Sequence, residues 1–306
     1  MSAIETEALR VRYGARAVVD GIDLLVPEGT VHALLGPNGS GKTTTVRVLA
    51  TLLRPSGGRA RVLGHDTVTA ARAVRQRIGL VGQFHAVDPM STGRQNLVMF
   101  ARLNGLAAAA ARRRADDLLA RFDLADAGDR LVRTYSGGMR RRLDILAGTV
   151  VRPEVLFLDE PTTGLDPHSR DDIHRYLAEA VAAGSTVLLT TQYLDEAERL
   201  ADAVTILDAG RVVATGSPAE IARTVGVRLE VAVPDDQRPA AAEVMAALGG
   251  TPVPRQAATW LFDAAAPALP TVVRALDAAG IEVRDIGRRT GTLDDAFLAL
   301  TARRAA

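Results

Sequence analysis

Short apolar runs alternate with helical patterns over the first two thirds of the chain. Residues 31–35 and 155–158 are predominantly apolar, which is typical of strands buried in a parallel sheet, and a further strand is predicted at 186–191. Residues 43–53 instead repeat apolar side chains at helical spacing and are followed by Pro55, which cannot continue a helix. The pattern predicts strands that alternate with helices in this part of the chain.

The last quarter of the chain has a different pattern, and we predict a domain boundary near Val225. The expected domains are therefore residues 1–224 and 225–306, and the second of these is a small α+β domain. Its closing helix is amphipathic and starts at Thr292, which is a favourable N-cap residue. The predicted strands are 228–233, 259–262 and 281–286, and the predicted helices are 239–248, 268–279 and 292–301.

Composition excludes several classes of protein. With 47% hydrophobic and 24% charged residues, the 306-residue chain has an ordinary globular balance rather than that of a disordered protein. Its 37 basic and 36 acidic residues leave a net charge of +1, which gives no support for nucleic-acid binding by bulk charge, and we expect no nucleic-acid partner. The absence of cysteine excludes disulfides and thiolate chemistry. No apolar run approaches the ~18 residues that cross a bilayer, and Glu5 and Glu7 do not suit a signal peptide, so we expect a cytoplasmic protein.

A glycine-rich octapeptide directly follows the predicted strand 31–35. It fits the phosphate-binding pattern G-x-x-x-x-G-K-[ST], in which backbone N–H groups surround phosphate oxygens at a helix N-terminus. Lys42, the only lysine in the chain, is predicted to reach the β- and γ-phosphates, and the Thr43 hydroxyl to ligate Mg²⁺. The predicted ATP-binding residues here are Gly36, Pro37, Asn38, Gly39, Ser40, Gly41, Lys42, Thr43 and Thr44.

Two carboxylates, Asp159 and Glu160, end the apolar run 155–158. Carboxylates at the end of a buried strand are costly unless they meet a metal ion or a reacting group. We predict that Asp159 holds Mg²⁺ through its water shell and that Glu160 orients or deprotonates the attacking water.

The segment Tyr135-Ser136-Gly137-Gly138-Met139 lies about twenty residues before that strand and opens a predicted helix. Ser136 suits an N-cap, and the glycines let bare amides approach a phosphate. The segment resembles the signature motif of ABC-transporter ATPases, whose usual form is LSGGQ, and departs from it at the two outer positions. The motifs occur in the family's order over residues 5 to about 220.

The resemblance implies a fold and a set of partners. The expected fold is the ABC ATPase core of the P-loop NTPases: a RecA-like mixed sheet, an antiparallel β subdomain and a helical subdomain inserted at about 84–150. Tyr13 then resembles the aromatic that stacks on adenine, and Gln83 the glutamine that touches the Mg²⁺ water shell. In a homodimer, Asp166 and the loop Ser136, Gly137 and Gly138 would contact the ATP held by the other protomer.

Gln192 departs from the family, which usually has a histidine after the strand 186–191. Glutamine can donate a hydrogen bond to the γ-phosphate but can never be cationic. We therefore expect slower hydrolysis, or a site that depends wholly on Glu160. The surrounding TTQYLDEA segment resembles the daunorubicin/doxorubicin resistance subfamily, so glutamine is also compatible with a subfamily trait.

The resulting hypothesis is an ATPase subunit of an ABC exporter that uses ATP and Mg²⁺. We expect a homodimer at the cytoplasmic face of the membrane, beneath a separate permease. The exported substrate is expected to be a hydrophobic compound, in particular an antibiotic or other drug. The principal alternative is a regulatory or non-transport ABC ATPase whose hydrolysis is weakened by Gln192. A kinase or GTPase is disfavoured by the Ser136-Gly137-Gly138 helix start. The arginine runs 112–114 and 140–142 are predicted to be mainly solvated helix faces.

Overall fold

A computed structural model describes residues 1–83, 86–224, 227–252, 259–262, 267–290 and 292–302. The chain divides into two compact units, Met1–Val213 and Ala214–Ala306. The domain boundary predicted near Val225 stays a prediction, and Val225 itself lies outside the described residues.

The first unit carries strands β1 to β10, the last of which crosses the division between the units. The strands are β1 (Ser2–Tyr13), β2 (Arg16–Pro27), β3 (Val31–Leu35), β4 (Gly57–Val62), β5 (His65–Asp66), β6 (Ile78–Val81), β7 (Val155–Asp159), β8 (Thr186–Thr191), β9 (Ala203–Asp208) and β10 (Arg211–Gly216). The helices are α1 (Lys42–Leu49), α2 (Ala71–Arg75), α3 (Gly93–Leu103), α4 (Ala108–Arg121), α5 (Gly137–Gly148), α6 (Pro167–Ala182) and α7 (Leu194–Leu200), with a 3₁₀ turn at Val132–Thr134.

Two sheets of the described residues shape this unit. One has the order β10-β9-β3-β8-β7-β6, and the pairs β3–β8, β3–β9, β7–β8 and β6–β7 are parallel. The other has the order β2-β1-β4-β5 and is antiparallel. Because β3, β8 and β7 are parallel neighbours, the segments that follow them meet at one edge of the sheet. That edge receives the glycine-rich octapeptide, Gln192 and Glu160.

The strands that carry these segments are buried throughout. Every residue of β3, β7 and β8 is buried. The apolar sequences of β3 and β7 predicted this burial, whereas β8 also buries three threonines. The predicted helix 43–53 is shorter than expected: α1 ends at Leu49, and Thr51 has a φ of 63°. The chain therefore leaves the helix before Pro55 is reached.

Helices α3, α4 and α5 lie between β6 and β7 in the sequence, where the helical insertion was expected. The start of α3 is fixed by a capping box, in which Thr92 and Gln95 exchange side-chain and backbone hydrogen bonds. The α/β fold with its antiparallel sheet and helical insertion is thus confirmed.

The second unit combines an antiparallel sheet with helices. Its elements are α8 (Pro218–Arg223), β11 (Val227–Ala232), α9 (Arg238–Ala247), β12 (Thr251–Pro252), β13 (Thr259–Phe262), α10 (Leu269–Ala278), β14 (Asp285–Thr290) and α11 (Leu293–Ala302). The sheet order is β12-β13-β11-β14, and the side chains of Leu229, Met245, Trp260 and Leu276 are among those that form its core.

One predicted strand of this unit is misplaced by about four residues. The pattern at 281–286 predicted a strand, but β14 occupies Asp285–Thr290. Ile281 is buried in the core while still in the connection after α10, and the ladder begins where Arg284 N–H donates to the Ala232 carbonyl. The apolar pattern therefore reported burial rather than strand pairing.

Candidate functional site

The glycine-rich octapeptide lies at the carboxyl end of β3 and leads into α1. Pro37, Asn38 and Gly39 are exposed at its crest, while Lys42 is only 5% exposed. The Lys42 Nζ donates hydrogen bonds to the Gly36 carbonyl at 2.6 Å and to the Pro37 carbonyl at 3.1 Å. The ammonium group therefore folds back over the loop, as a phosphate-binding lysine must.

Glycine is required at two positions of this loop by close approach of neighbouring atoms. A Cβ at Gly36 would lie 2.3 Å from the Leu207 carbonyl oxygen and 2.4 Å from Ser40 Oγ. Gly41 has a φ of 106°, and a Cβ there would lie 2.9 Å from the Val18 carbonyl oxygen. The tight curvature of the loop is thus set by its surroundings as well as by its sequence.

Ser40 gives a test of whether the loop suits an anion. Its Oγ is buried and has no hydrogen-bond partner within the described part of the chain. A buried hydroxyl without a partner costs about 1–3 kcal/mol, which a ligand oxygen would remove. Together with the exposed crest and the folded-back Lys42, this hydroxyl fits a phosphate group.

A cluster of oxygen donors adjoins the loop. Asp159 Oδ1 accepts a hydrogen bond from Thr43 Oγ1 at 3.1 Å and another from Thr190 Oγ1 at 2.6 Å. Gln83 Nε2 donates to Thr43 Oγ1 at 3.3 Å. Among the described residues, no group of three His, Asp or Glu side chains forms a ready-made metal site. Mg²⁺ typically takes one or two carboxylates together with phosphate oxygens and water, so this cluster fits Mg²⁺ that arrives with a nucleotide.

Glu160 has an unusual backbone conformation. Its φ is 50°, which is uncommon for a residue with a side chain and is typical of constrained functional sites. Its N–H donates to both the carbonyl and the Oγ1 of Thr190, each at 3.1 Å, and Thr163 Oγ1 donates to Glu160 Oε2 at 3.4 Å. The first two bonds anchor the backbone of Glu160, and the third is a long hydrogen bond that orients its carboxylate.

Lys42 shares an electrostatic environment with the two carboxylates. Burial lowers the pKa of Lys42, and the charges of Glu160 and Asp159 oppose that shift. The two carboxylates therefore lie close enough to the Lys42 ammonium group to favour its charged form.

Arg141 corrects an expectation from the sequence. The run 140–142 was predicted to be mainly solvated, but Arg141 is 5% exposed. Burial lowers the pKa of Arg141, while the nearby carboxylates of Asp144, Asp159, Glu160 and Glu196 oppose that shift. The guanidinium donates hydrogen bonds to the carbonyl oxygens of Gly82 (2.6 Å), Pro161 (2.9 Å), Glu160 (2.9 Å) and Asp159 (3.2 Å).

Neighbouring arginines separate into buried and exposed positions. Arg142 is also turned inward, because its Nη1 donates to the Phe122 carbonyl at 3.1 Å and lies 3.6 Å from Asp172 Oδ2. In the other run, Arg112 and Arg113 are exposed as predicted, whereas Arg114 is half-buried and its Nε donates to the Val150 carbonyl at 2.9 Å. A weak signal for Arg141 was present, since helical spacing places it one turn before the buried Ile145.

The signature-like segment begins α5 as predicted. Ser136 is the N-cap, and its Oγ accepts the Met139 N–H at 3.2 Å. Tyr135, which replaces the usual leucine, is buried and donates its hydroxyl to the Ala127 carbonyl at 2.7 Å. Ser136 and Gly137 are exposed, so the segment is available to a ligand or to another chain.

Asp166 is the N-cap of α6. Its carboxylate accepts hydrogen bonds from the Ser169 N–H at 2.9 Å and from Ser169 Oγ at 2.7 Å. A Cβ at Gly138 would lie 3.1 Å from Ser169 Oγ, so the start of α5 lies against the start of α6. The contact of these residues with a second protomer stays a prediction.

Several predicted residues line one open depression of about 560 Å³. Tyr13, which is 49% exposed at the end of β1, and Gln192, which is exposed just beyond β8, are not among its described lining residues. The lining residues are Asn38, Gln83, Gly137, Arg141, Glu160, Thr163, Gly164 and Leu165. The structure thus brings together the loop, the glutamine, the signature-like segment and the catalytic candidate Glu160.

This fold carries a phosphate-type loop, a pair of carboxylates and a helix capped by a Ser-Gly-Gly segment. That combination defines a nucleotide-binding ATPase. A family model described as ABC transporter matches residues 19–163. A solved structure entitled "Structure of ATP binding subunit of ABC transporter" has a TM-score of 0.67 and 29% identity, and the alignment covers 72% of this chain and 92% of that one.

Two curated relatives extend the similarity over nearly the whole chain. The daunorubicin resistance ATP-binding protein DrrA3 of Streptomyces coeruleorubidus is 52% identical over 303 residues, which cover 98% of this chain and 96% of the relative. The daunorubicin/doxorubicin resistance ATP-binding protein DrrA of Streptomyces peucetius is 49% identical over 304 residues, which cover 98% and 92%. The chain therefore belongs to the ABC transporter family and is an ATP-binding ATPase of that family.

The helices of the described residues include none that is long and apolar enough to span a membrane.

Proposed function

We propose that this chain is the ATP-hydrolysing subunit of an exporter that expels a hydrophobic antibiotic of the daunorubicin type through a separate membrane permease. The observation that carries the proposal is the extent of the similarity, because 52% identity over 98% of the chain includes the second unit as well as the ATPase unit. The site of action would be the cytoplasmic face of the membrane, where the chain binds the permease peripherally.

The nucleotide would be held mainly by the octapeptide. Backbone N–H groups of residues 36–44 would donate to phosphate oxygens, Lys42 would contact the β- and γ-phosphates, and Tyr13 would stack on adenine. Thr43 and Asp159 would hold Mg²⁺, and Gln83 would contact its water shell. When bound, Mg²⁺ neutralises charge that develops on the phosphate oxygens.

Hydrolysis would be led by Glu160. Its carboxylate would accept a proton from the water that attacks the γ-phosphorus, while the bond from that phosphorus to the β–γ bridging oxygen breaks and ADP leaves. The exposed Gln192 at the end of β8 would donate a neutral hydrogen bond to the γ-phosphate, which is weaker than the bond from a charged histidine. The rate of hydrolysis would therefore depend mainly on how precisely the Glu160 carboxylate is positioned.

Two copies would form the complete site. The exposed Ser136 and Gly137 at the start of α5, with Gly138 and Asp166, would contact the ATP of the partner chain in a homodimer. ATP binding would close this dimer and hydrolysis would open it, which would couple the chemistry to the permease.

Export is tested in cells that lack the gene for this chain. We expect these cells to retain more daunorubicin than the parent strain, and we expect the wild-type chain, but not Lys42→Ala or Glu160→Gln, to restore efflux. Equal retention in deleted and parent cells would contradict the export function. A hydrophilic antibiotic, such as an aminoglycoside, serves as the control for general permeability.

A non-transport or regulatory ATPase is the second candidate, and Gln192 is the observation that favours it. Purified chain with negligible turnover that gains turnover from Gln192→His would support that candidate. Cooperative Mg²⁺-dependent turnover by the wild-type chain would instead show that glutamine is sufficient at this position.

A further inference from the structure

We infer that Arg141 is a positioning residue for ATP hydrolysis, which holds the backbone on both sides of Glu160 so that its carboxylate meets the attacking water. The inference rests on the proposed role of Glu160 as the catalytic carboxylate.

The backbone of Glu160 is gripped from two directions. On its amino side, the N–H donates to Thr190 of β8 at 3.1 Å. On its carboxyl side, the carbonyl accepts Arg141 Nη2 at 2.9 Å. Arg141 also bonds the carbonyls of Asp159 and Pro161, the residues that flank Glu160. A residue with a φ of 50° keeps that conformation only where its surroundings enforce it, and these bonds supply the enforcement.

The same guanidinium reaches the segment that carries Gln83. Arg141 Nη1 donates to the Gly82 carbonyl at 2.6 Å, directly before Gln83. Arg141 itself lies in the first turns of α5, which starts at the signature-like segment. One side chain therefore joins α5, the Gln83 segment and the end of β7, so a movement of any of these elements would be transmitted to Glu160.

The chemistry of arginine suits this task. A planar guanidinium presents five N–H donors in a fixed fork, so it can bond several carbonyl oxygens at once in defined directions. Lysine offers a compact charge without that fork, and glutamine offers two donors and no charge. Arg141→Lys should therefore retain part of the function, and Arg141→Gln should retain little.

The test compares Arg141→Gln and Arg141→Lys with Arg142→Gln in the full chain. Arg142 is a matched control, because it is the next residue of α5 and is also turned inward, but it bonds the Phe122 carbonyl and Asp172 instead of the end of β7. For each variant, kcat and KM for MgATP, the Kd of a fluorescent ATP analogue and the melting temperature are measured. Hydrogen exchange of the peptide that contains Glu160 is followed in the same samples.

We expect Arg141→Gln to lower kcat by roughly 10- to 100-fold, because small displacements of a reacting group have effects of this size. The Kd should change by less than about threefold, since the octapeptide is untouched. Exchange near Glu160 should become faster in both Arg141 variants, and Arg141→Lys should have an intermediate kcat. Arg142→Gln should lower the melting temperature without a matching loss of kcat.

Unchanged kcat in a folded Arg141 variant would overturn the inference, as would an equal loss of kcat in Arg142→Gln. If Arg141→Gln does not fold, Arg141→Lys decides the matter: full turnover with unchanged exchange overturns the inference, and reduced kcat with retained affinity supports it.

Glu160→Gln separates this inference from the proposed function. If Glu160→Gln retains turnover, the role of Glu160 is wrong; if it abolishes turnover while Arg141→Gln does not, only the inference about Arg141 fails.

Discussion

The two sides of the nucleotide site are built in different ways. On the phosphate side, the octapeptide is one continuous segment that runs from the end of β3 into the first residues of α1, and Lys42 bonds the carbonyls of Gly36 and Pro37 within it. On the carboxylate side, Glu160 is held by Thr190, which is 30 residues away in the sequence, and by Arg141, which is 19 residues away. The first side is local in the sequence and the second depends on tertiary contacts.

This difference teaches that affinity and turnover have separate structural origins. A local loop can bind phosphate wherever its strand and helix are intact. A catalytic carboxylate must be placed within a fraction of an ångström by elements that come from distant parts of the chain. Changes on the phosphate side should therefore alter the Kd for ATP, whereas changes on the carboxylate side should alter kcat.

The largest effect is expected from Glu160→Gln. Loss of the general base should lower kcat by about 10²- to 10⁴-fold, and the Kd for ATP should stay within about threefold because the octapeptide is intact. Steady-state hydrolysis and equilibrium binding check both values. Glu154→Gln is the matched control, since Glu154 forms an exposed ion pair with Arg77 at the other end of β7; undiminished turnover in Glu160→Gln would remove Glu160 from its role.

Lys42→Ala should affect the Kd for ATP more than any other quantity. Removal of the ammonium group should weaken ATP binding by roughly 30- to 100-fold, in line with the value of charge-assisted hydrogen bonds. Lys42→Arg keeps the charge without the compact shape, and we expect it to bind with intermediate affinity. Isothermal calorimetry measures the difference, and wild-type affinity in Lys42→Ala would show that the phosphates bind elsewhere.

Gly36→Ala should damage the phosphate side through shape alone. The added Cβ would clash with the Leu207 carbonyl oxygen at 2.3 Å, so the loop must shift. We expect a loss of about 1–3 kcal/mol in stability, typical of overpacking, together with weaker ATP binding. Gly287→Ala is the control, because a Cβ there meets nothing within 4 Å. Equal melting temperatures and affinities in the two variants would contradict the close approach at Gly36.

Thr190→Val should produce a smaller loss on the carboxylate side. The Thr190 hydroxyl donates to Asp159 at 2.6 Å and accepts the Glu160 N–H at 3.1 Å, and valine keeps the shape without these bonds. We expect kcat to fall by about tenfold, the equivalent of one to two hydrogen bonds. Thr190→Ser, which keeps the hydroxyl, should retain most of the turnover. If Thr190→Val changed only the Kd for ATP and not kcat, the proposed separation of affinity from turnover would be contradicted.

The smallest effect concerns acid stability of the strand that carries the octapeptide. Burial lowers the pKa of His32 in β3 from 6.5 to about 4, and its Nε2 lies 2.9 Å from Thr205 Oγ1. The unfolded state binds the His32 proton more readily than the folded state does. The free energy of unfolding is therefore unaffected by this group well above pH 6.5 and decreases as the pH falls towards 4. Between pH 7.5 and 6, wild type should lose about 1 kcal/mol more than His32→Gln. Urea midpoints at the two pH values check this, and equal losses would contradict it.

The sequence was sufficient for the local parts of this site. Each of three features can be identified from a short stretch of sequence: the octapeptide, the N-cap Ser136 and the carboxylates at the end of β7. The octapeptide and the carboxylates follow parallel strands, and Gly137, next to Ser136, lines the same depression as Asn38 and Glu160. The fold and the family were predictable because their motifs stand in a fixed order.

The sequence was insufficient where function depends on tertiary contacts. The bonds of Thr190 and Arg141 to the end of β7 join residues from different elements, and no local pattern encodes them. Arg141 was predicted to be solvated because a run of charged residues is usually a solvated helix face. Its hydrogen-bond acceptors are backbone carbonyl oxygens from other elements, which a sequence does not show. The misplaced strand at 281–286 has a related cause, since apolar alternation reports burial and not pairing.

The most direct test of the account is to measure the Kd for ATP and kcat on parallel preparations of Lys42→Ala and Glu160→Gln. The account predicts opposite outcomes: Lys42→Ala loses affinity, and Glu160→Gln binds ATP as wild type does but does not turn it over. If both variants lose affinity and turnover to the same extent, the two sides of the site are not separable and the account is wrong.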